Sequence, residues 1–415
     1  MKQKIITNNL ENNEAIKVEH LFAIYNENDD NQVVSLCDNN LTLEKNKIHF
    51  IIGNSGCGKS TLVNHFNGLI KAKYGNVHVQ NNEQIGNNYF IDKLFIGVIE
   101  HKTIPNFNLE LSNNTVVCAF NNKCPKHIVG VLFEAYYKLK TVKVKFLSNF
   151  SKSEYFLYLV TFDDSINELF IKDKINYKNI DKYFFKNPIS KKYFSKKNWL
   201  SRKKIKKIKN LKRTVGIVFQ FPEYQLFKDT VLNDVMFGPI NLGIPKEEAK
   251  EKSIKYLKML RVNEQLFNNS PFSLSGGQKR RVAISGILAF NPQVLVFDEP
   301  TAGLDPAGEK EILEIIKNAK KDGKTIIVIS HNMDHVLEIA DNVILMNEGE
   351  IIKIGTPYDI FSDFKLLNDL NINQPMIIST INKLAKINKK FNKIFEYQPR
   401  DIASLSHAIS KIDKI

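Results

Sequence analysis

The chain has 415 residues, 43% of them hydrophobic and 25% charged, with a formal net charge of +15. That length exceeds a typical single domain, and no run approaches the roughly 18 consecutive apolar residues that would span a bilayer, so a packed soluble protein with one large unit and additions is expected. The positive charge suits an anionic partner, either nucleic acid or lipid headgroups, without choosing between them.

The N-terminal stretch MKQKIITNNLENNEA is polar and lacks the apolar core of a secretory signal, which predicts a protein on the cytoplasmic side. Cys37, Cys57, Cys118 and Cys124 form no dense disulfide framework. From about Ile16 to Val79 apolar and polar residues alternate as in strands, and KIHFIIG runs into a glycine-rich turn followed by a predicted helix from Lys59 to Gly68. Residues 86–204 then change character, being rich in Phe, Tyr, Lys and Asn, with strand-like runs TVKVKFL and EYFLYLVTF, and read as an inserted small domain. Cys118, Cys124 and His127 within it fall short of a complete zinc pattern. The basic run over 191–213 has two open readings, a solvated linker or a contact with an anionic surface. From Val215 to Gly349 short apolar strands, VLVFDEP and TIIVISH, alternate with amphipathic helical stretches, the pattern of a largely parallel sheet with crossover helices. The expected division is one split domain, 16–85 with 205–355, an insertion 86–204, and a helical docking or dimerisation tail 356–415.

Gly53, Asn54, Ser55, Gly56, Cys57, Gly58, Lys59, Ser60 and Thr61 follow a strand and open a helix, the setting of a phosphate-binding loop. Its backbone N–H groups turn inward on phosphate oxygens, Lys59 neutralises them, and the Ser60 hydroxyl can ligate Mg²⁺. Cys57 reads as a small space-filling residue. Val294 to Asp298 is an apolar strand running into Glu299, and two adjacent acids there are costly unless they meet a cation or substrate. Asp298 is the expected Mg²⁺ ligand and Glu299 the group that orients the attacking water. His331 follows the next strand and can emerge at the same sheet end.

Leu274-Ser275-Gly276-Gly277-Gln278 has no purpose in an ordinary phosphate-loop enzyme and resembles the signature of ATP-binding cassette proteins. The order of phosphate loop, glutamine loop at Gln220, signature, acidic strand, Ala302-Gly303-Leu304-Asp305-Pro306 and His331 is similar to that family throughout. The resemblance implies an α/β phosphate-loop ATPase with a helical signature subdomain, using ATP and Mg²⁺. It also implies that Ser275, Gly276, Gly277 and Gln278 serve a nucleotide held by a second chain, that Asp305 lies at the dimer seam, and that Gln220 joins Ser60 and Asp298 around the metal. Tyr25 occupies the place where the family stacks a ring on adenine; a half-buried strand tyrosine is the other reading.

Within the family, the stretch from Val215 to Phe227 with its FPEYQLF, together with PFSLSGGQKRRVAISGILA and SHNMDHV, is similar to energy-coupling factor ATPases, and to the second of their two paralogous types. This resemblance covers about 16–85 and 205–360 and, more loosely, the tail after that; the insertion lies outside it. It implies a heterodimer with a paralogous ATPase beneath a transmembrane coupling subunit, membrane subunits that bind a vitamin or transition-metal ion, and a peripheral position at the cytoplasmic face of the cell membrane. The rival is a nucleic-acid-associated cassette ATPase. Chromosome-maintenance types carry long heptad coiled coils and translation factors carry two cassettes, whereas this chain has one cassette and no sustained heptads, so no nucleic acid is expected. A hydrophobic-compound exporter would carry a different glutamine loop.

Overall fold

A computed structural model describes residues 13–25, 33–72, 74–80, 82–85 and 208–413, and within 86–207 the backbone of several strands. The centre is a six-stranded sheet in the order Val215–Val218, Val294–Asp298, Thr325–Ile329, Ile48–Ile52, Asn342–Asn347, Glu350–Gly355. The first five strands run parallel and the last is an antiparallel edge. Ile48–Ile52 and Thr325–Ile329 are buried at every position, as strands of a parallel sheet covered on both faces should be.

Side-chain alternation sorts these strands into two cores. Ile48, Phe50, Ile52, Leu295, Phe297, Ile326, Val328, Val343 and Leu345 point to one face and pack under helices. Their neighbours Ile51, Val294, Val296, Ile327, Ile329, Ile344 and Met346 point to the other, onto Leu62, Val63 and Phe66 of the helix Lys59–Phe66 and onto a second sheet. That second sheet is antiparallel, ordered Val33–Glu44, Glu14–Tyr25, Tyr74–Val79, Asn82–Ile85.

On the helical face, Pro306–Lys321 buries Ile312, Leu313, Ile315, Ile316 and Ala319 along one stripe, starts on an Asp305 cap with Pro306 at its first position, and ends on Lys320 and Lys321. Helices Val231–Asn241, Lys246–Met259 and Gly276–Ala289 pack on one another as a unit beside the sheet. After the edge strand come short helices and then Met376–Ile387 and Ile402–Asp413, which share a small core of Ile381, Ile394, Leu405, Ala408 and Ile412. Ile372 and Ile378 join the main core, and Arg400 donates to the Ala340 carbonyl at 2.7 Å, so the tail is anchored on the ATPase sheet.

Within 86–204 the strands form a five-stranded sheet ordered Thr141–Asn149, Phe156–Phe162, Thr115–Phe120, Phe95–Ile99, Asp173–Ile175, with the two strand-like sequence runs paired antiparallel. Cys124, His127, the side chain of Cys118 and residues 191–207 of the basic run lie outside the described residues. Among the described residues no helix is long and apolar enough to cross a membrane.

Candidate active site

The Ile48–Ile52 strand delivers the chain to Gly53, whose φ of 149° and close approach to the Met346 carbonyl, 2.2 Å from where a Cβ would sit, exclude any other residue. The loop closes at Gly58, in the left-handed region at φ 98°, and the helix Lys59–Phe66 begins with neither a side-chain cap nor an acid in its first turn. That helix start is left without a side-chain cap, its Lys59 N–H turned to the Cys57 sulfur inside the loop, and such an uncapped N-terminus is the arrangement that receives an anion. Lys59 is 6% exposed, and its Nζ donates to the Gly53 and Asn54 carbonyls at 2.9 and 2.8 Å. Two neutral acceptors satisfy the ammonium without neutralising it, so phosphate oxygens are a better match for it. Burial pushes the Cys57 thiol up, with Lys59 opposing, which fits a space-filling residue rather than a reactive one.

Asp298 and Glu299 emerge beside this loop at the end of Val294–Asp298. Burial raises the pKa of Asp298, a hydrogen bond from Ser60 opposes the rise, and the charge of Glu299 adds to it. A divalent cation would relieve that strain, and the Asp298–Ser60 pair supplies the oxygen donors Mg²⁺ prefers. Glu299 sits in the left-handed region at φ 49°, an unusual conformation for a non-glycine residue. Its Oε2 accepts from Gln220 Nε2 at 3.0 Å and its Oε1 lies 3.0 Å from His331 Nε2. Lys59, Ser60, Gln220, Asp298, Glu299 and His331 are thus brought together from four separate stretches of chain, with Gln220 bonded to Glu299 rather than to the Ser60–Asp298 pair.

Other expected site residues take different positions. Tyr25 ends its strand half-exposed, with its hydroxyl 3.4 Å from Thr61 Oγ1, which in turn lies 2.8 Å from Ser35 Oγ. The Asn54 side chain donates to the Leu370 carbonyl of the tail at 2.9 Å. Ser275 caps the helix Gly276–Ala289 in a reciprocal box with Gln278, and a Cβ added at Gly276 or Gly277 would meet nothing within 4 Å. Asp305 caps its own helix, accepting from the Gly308 N–H at 2.8 Å.

A cleft of about 460 Å³ opens beside the carboxylate, lined by Glu299, Gly303, His331, Asp334, Asn373 and Gln374. The last two belong to the tail, for which the sequence suggests docking or dimerisation; two polar residues before a helix carry no motif. Arg280, which bonds both the Gln220 and Pro300 carbonyls, was also missed. Its signal was its spacing, four and eight residues ahead of the buried Ile284 and Leu288 on one helix.

The glutamine loop presents an apolar surface. Phe221, Tyr224, Phe227 and Phe237 are exposed, Tyr224 to 84%, and Phe227 meets Phe237 edge-on at 4.7 Å. Single exposed aromatics are common at surfaces, whereas here three in the loop and one on the helix that follows it lie exposed within residues 221–237.

The ABC transporter family model matches residues 36–162 and 186–302, more than half of the chain. The "Energy-coupling factor transporter ATP-binding protein EcfA2" of Ureaplasma parvum is 45% identical over 420 residues, covering 98% of this chain and 95% of its own. The protein of that name from Mycoplasma genitalium is 35% identical over 412 residues, covering 99% and 98%. That of Mycoplasmopsis synoviae is 52% identical over 182 residues, 44% of this chain. The two full-length alignments run through 86–204, a segment that the sequence motifs leave outside the resemblance. On these matches, the chain belongs to the ATP-binding cassette transporter family and, within it, to the energy-coupling factor transporter ATP-binding proteins of the EcfA2 type.

Proposed function

We propose that this chain hydrolyses ATP at the Gly53–Thr61 loop and Glu299 as one half of an ATPase pair that drives an energy-coupling factor importer. The observation that carries the site assignment is the Glu299 carboxylate held at 3.0 Å by Gln220 on one oxygen and by His331 on the other, directly after Asp298, which feels the charge of Lys59. Lys59 exchanges its two loop carbonyls for phosphate oxygens when nucleotide binds. Asp298 and Ser60 would hold Mg²⁺, which would supply charge neutralisation for the phosphates. Glu299, fixed from both sides, orients the attacking water and polarises its O–H, while His331 is placed to steady the terminal phosphate. Tyr25 stacks on the base.

Gly276 and Gly277 support the second half of the reading. Glycine costs a helix up to about 1 kcal/mol relative to alanine, and nothing among the described residues crowds either position. A close approach from outside the chain explains both, namely the nucleotide bound to a partner ATPase, with Asp305 at the seam. The partner is a paralogous ATPase of the same family. Phe221, Tyr224, Phe227 and Phe237 dock on helices of a transmembrane coupling subunit, which makes the chain a peripheral protein of the cytoplasmic membrane face. Membrane subunits carry the cargo, a vitamin or transition-metal ion. The split domain 16–85 with 205–355 does the hydrolysis, 86–204 is an added module, and 356–415 is a docking tail.

The test is to purify the full chain from its own membranes in mild detergent. Recovery of a paralogous ATPase and a polytopic membrane protein is expected; recovery of ribosomes or DNA with no membrane partner would overturn the transport reading.

A further inference from the structure

We propose that Arg280 is a positioning residue for hydrolysis, locking the loop of Gln220 and the turn of Glu299 to the signature helix. The proposal rests on the assignment of Gln220 and Glu299 given above.

Arg280 lies on the buried face of Gly276–Ala289, one turn from the signature glycines, and is itself only 6% exposed. Its Nη2 donates to the Gln220 carbonyl at 3.1 Å and to the Pro300 carbonyl at 2.6 Å. Pro300 directly follows Glu299, and the Gln220 side chain returns to the Glu299 carboxylate at 3.0 Å. The four links form a closed ring: guanidinium to the Gln220 backbone, Gln220 side chain to Glu299, Glu299 through the chain to Pro300, and Pro300 back to the guanidinium.

Packing alone does not call for a cation here. A buried guanidinium is costly, and among the described residues no carboxylate lies within hydrogen-bond distance of this one. Burial lowers its pKa, opposed by the charge of Glu223, and its Nε has no hydrogen-bond partner among the described residues. A methionine would fill similar volume at no such cost. What the guanidinium adds is a planar nitrogen with two N–H groups, which holds two carbonyls at a fixed separation. Those carbonyls belong to the two segments that carry the groups on the water. The Glu299 turn is in a strained left-handed conformation at φ 49°, so its shape depends on outside restraint. Any shift of the signature helix, whose exposed end is where a partner engages, therefore moves Gln220 and Glu299 together. Arg281, next along, points instead to the half-exposed Glu311 at 3.1 Å and has no such link.

The experiment measures ATP turnover, ATP affinity and thermal midpoint for the full chain in its ATPase assembly, as wild type, Arg280→Met, Arg280→Lys, Gln220→Ala and Arg280→Met with Gln220→Ala. Arg280→Met should lower kcat at least 10-fold with ATP affinity within twofold, because the loop that binds phosphate is untouched. Arg280→Lys should restore most of that loss, since an ammonium can face both carbonyls. In the Gln220→Ala background Arg280→Met should add no more than about a threefold loss, because the ring is already open. If Arg280→Met does not fold, Arg280→Gln takes its place with the same criteria. Unchanged kcat in Arg280→Met, an undiminished loss in the Gln220→Ala background, or a loss that merely follows the thermal midpoint would overturn the proposal. If Gln220→Ala itself leaves turnover at the wild-type level, the site assignment fails first and the proposal with it.

Discussion

Replacing Gly277 by alanine should separate stability from activity. The residue lies in the first turn of Gly276–Ala289, its φ is not in the left-handed region, and an added Cβ meets nothing within 4 Å. In the chain by itself the substitution therefore removes backbone freedom from the unfolded state without a clash, a gain of up to about 1 kcal/mol and smaller in a first turn than in a helix interior. For a domain of this size that is a rise of up to about 2–4 °C in Tm. In the assembled ATPase pair the same methyl enters a contact with the nucleotide of the other chain. Overpacking of that kind costs about 1–3 kcal/mol, or roughly 5- to 150-fold in turnover. The assays are differential scanning fluorimetry on the isolated full chain and ATP turnover on the assembly. A lower Tm would show that the glycine serves this chain's own fold, and unchanged turnover would show that no partner comes close; either refutes the reasoning.

Two further outcomes follow from the site and its surroundings. Asp298 has its pKa raised on folding by burial, so the folded nucleotide-free chain binds the proton more tightly than the unfolded chain and loses stability as pH rises through the folded pKa. Asp298→Asn should then raise the Tm of the nucleotide-free chain at pH 7, an advantage that shrinks below the ordinary carboxylate range, while Mg²⁺-dependent ATP binding is lost; a pH series of melts checks the sign. Tyr224→Ala, at an 84% exposed position, should change stability by less than about 0.5 kcal/mol yet reduce recovery of the membrane subunit in pull-downs.

The candidate site residues stood out because each sits in a short local pattern whose chemistry is unusual: Lys59 in a glycine-rich loop, Asp298 and Glu299 ending an apolar strand, His331 following another. The parallel sheet was legible for a related reason, since Ile48–Ile52, Val294–Asp298 and Thr325–Ile329 are short apolar runs set apart by helical stretches. Contacts made across long sequence separations were not. Nothing in GGQKRRV distinguishes a buried Arg280 from its half-buried neighbours Lys279 and Arg281 until the helix phase is known. Nothing in NINQP announces that Asn373 and Gln374 line the cleft beside Glu299, or that Asn54 bonds Leu370 across 316 positions. Strand partners in the antiparallel sheet depend on which edges meet after collapse, and apolar alternation alone does not choose them.

The most direct measurement is ATP turnover by the membrane-purified assembly carrying Glu299→Gln, beside wild type, with nucleotide binding measured in the same preparations. Glutamine keeps the size of the side chain and removes its charge. Turnover lost by at least about 100-fold with ATP still bound would place hydrolysis at this carboxylate. Turnover within a fewfold of wild type would contradict it and move the reaction away from Glu299.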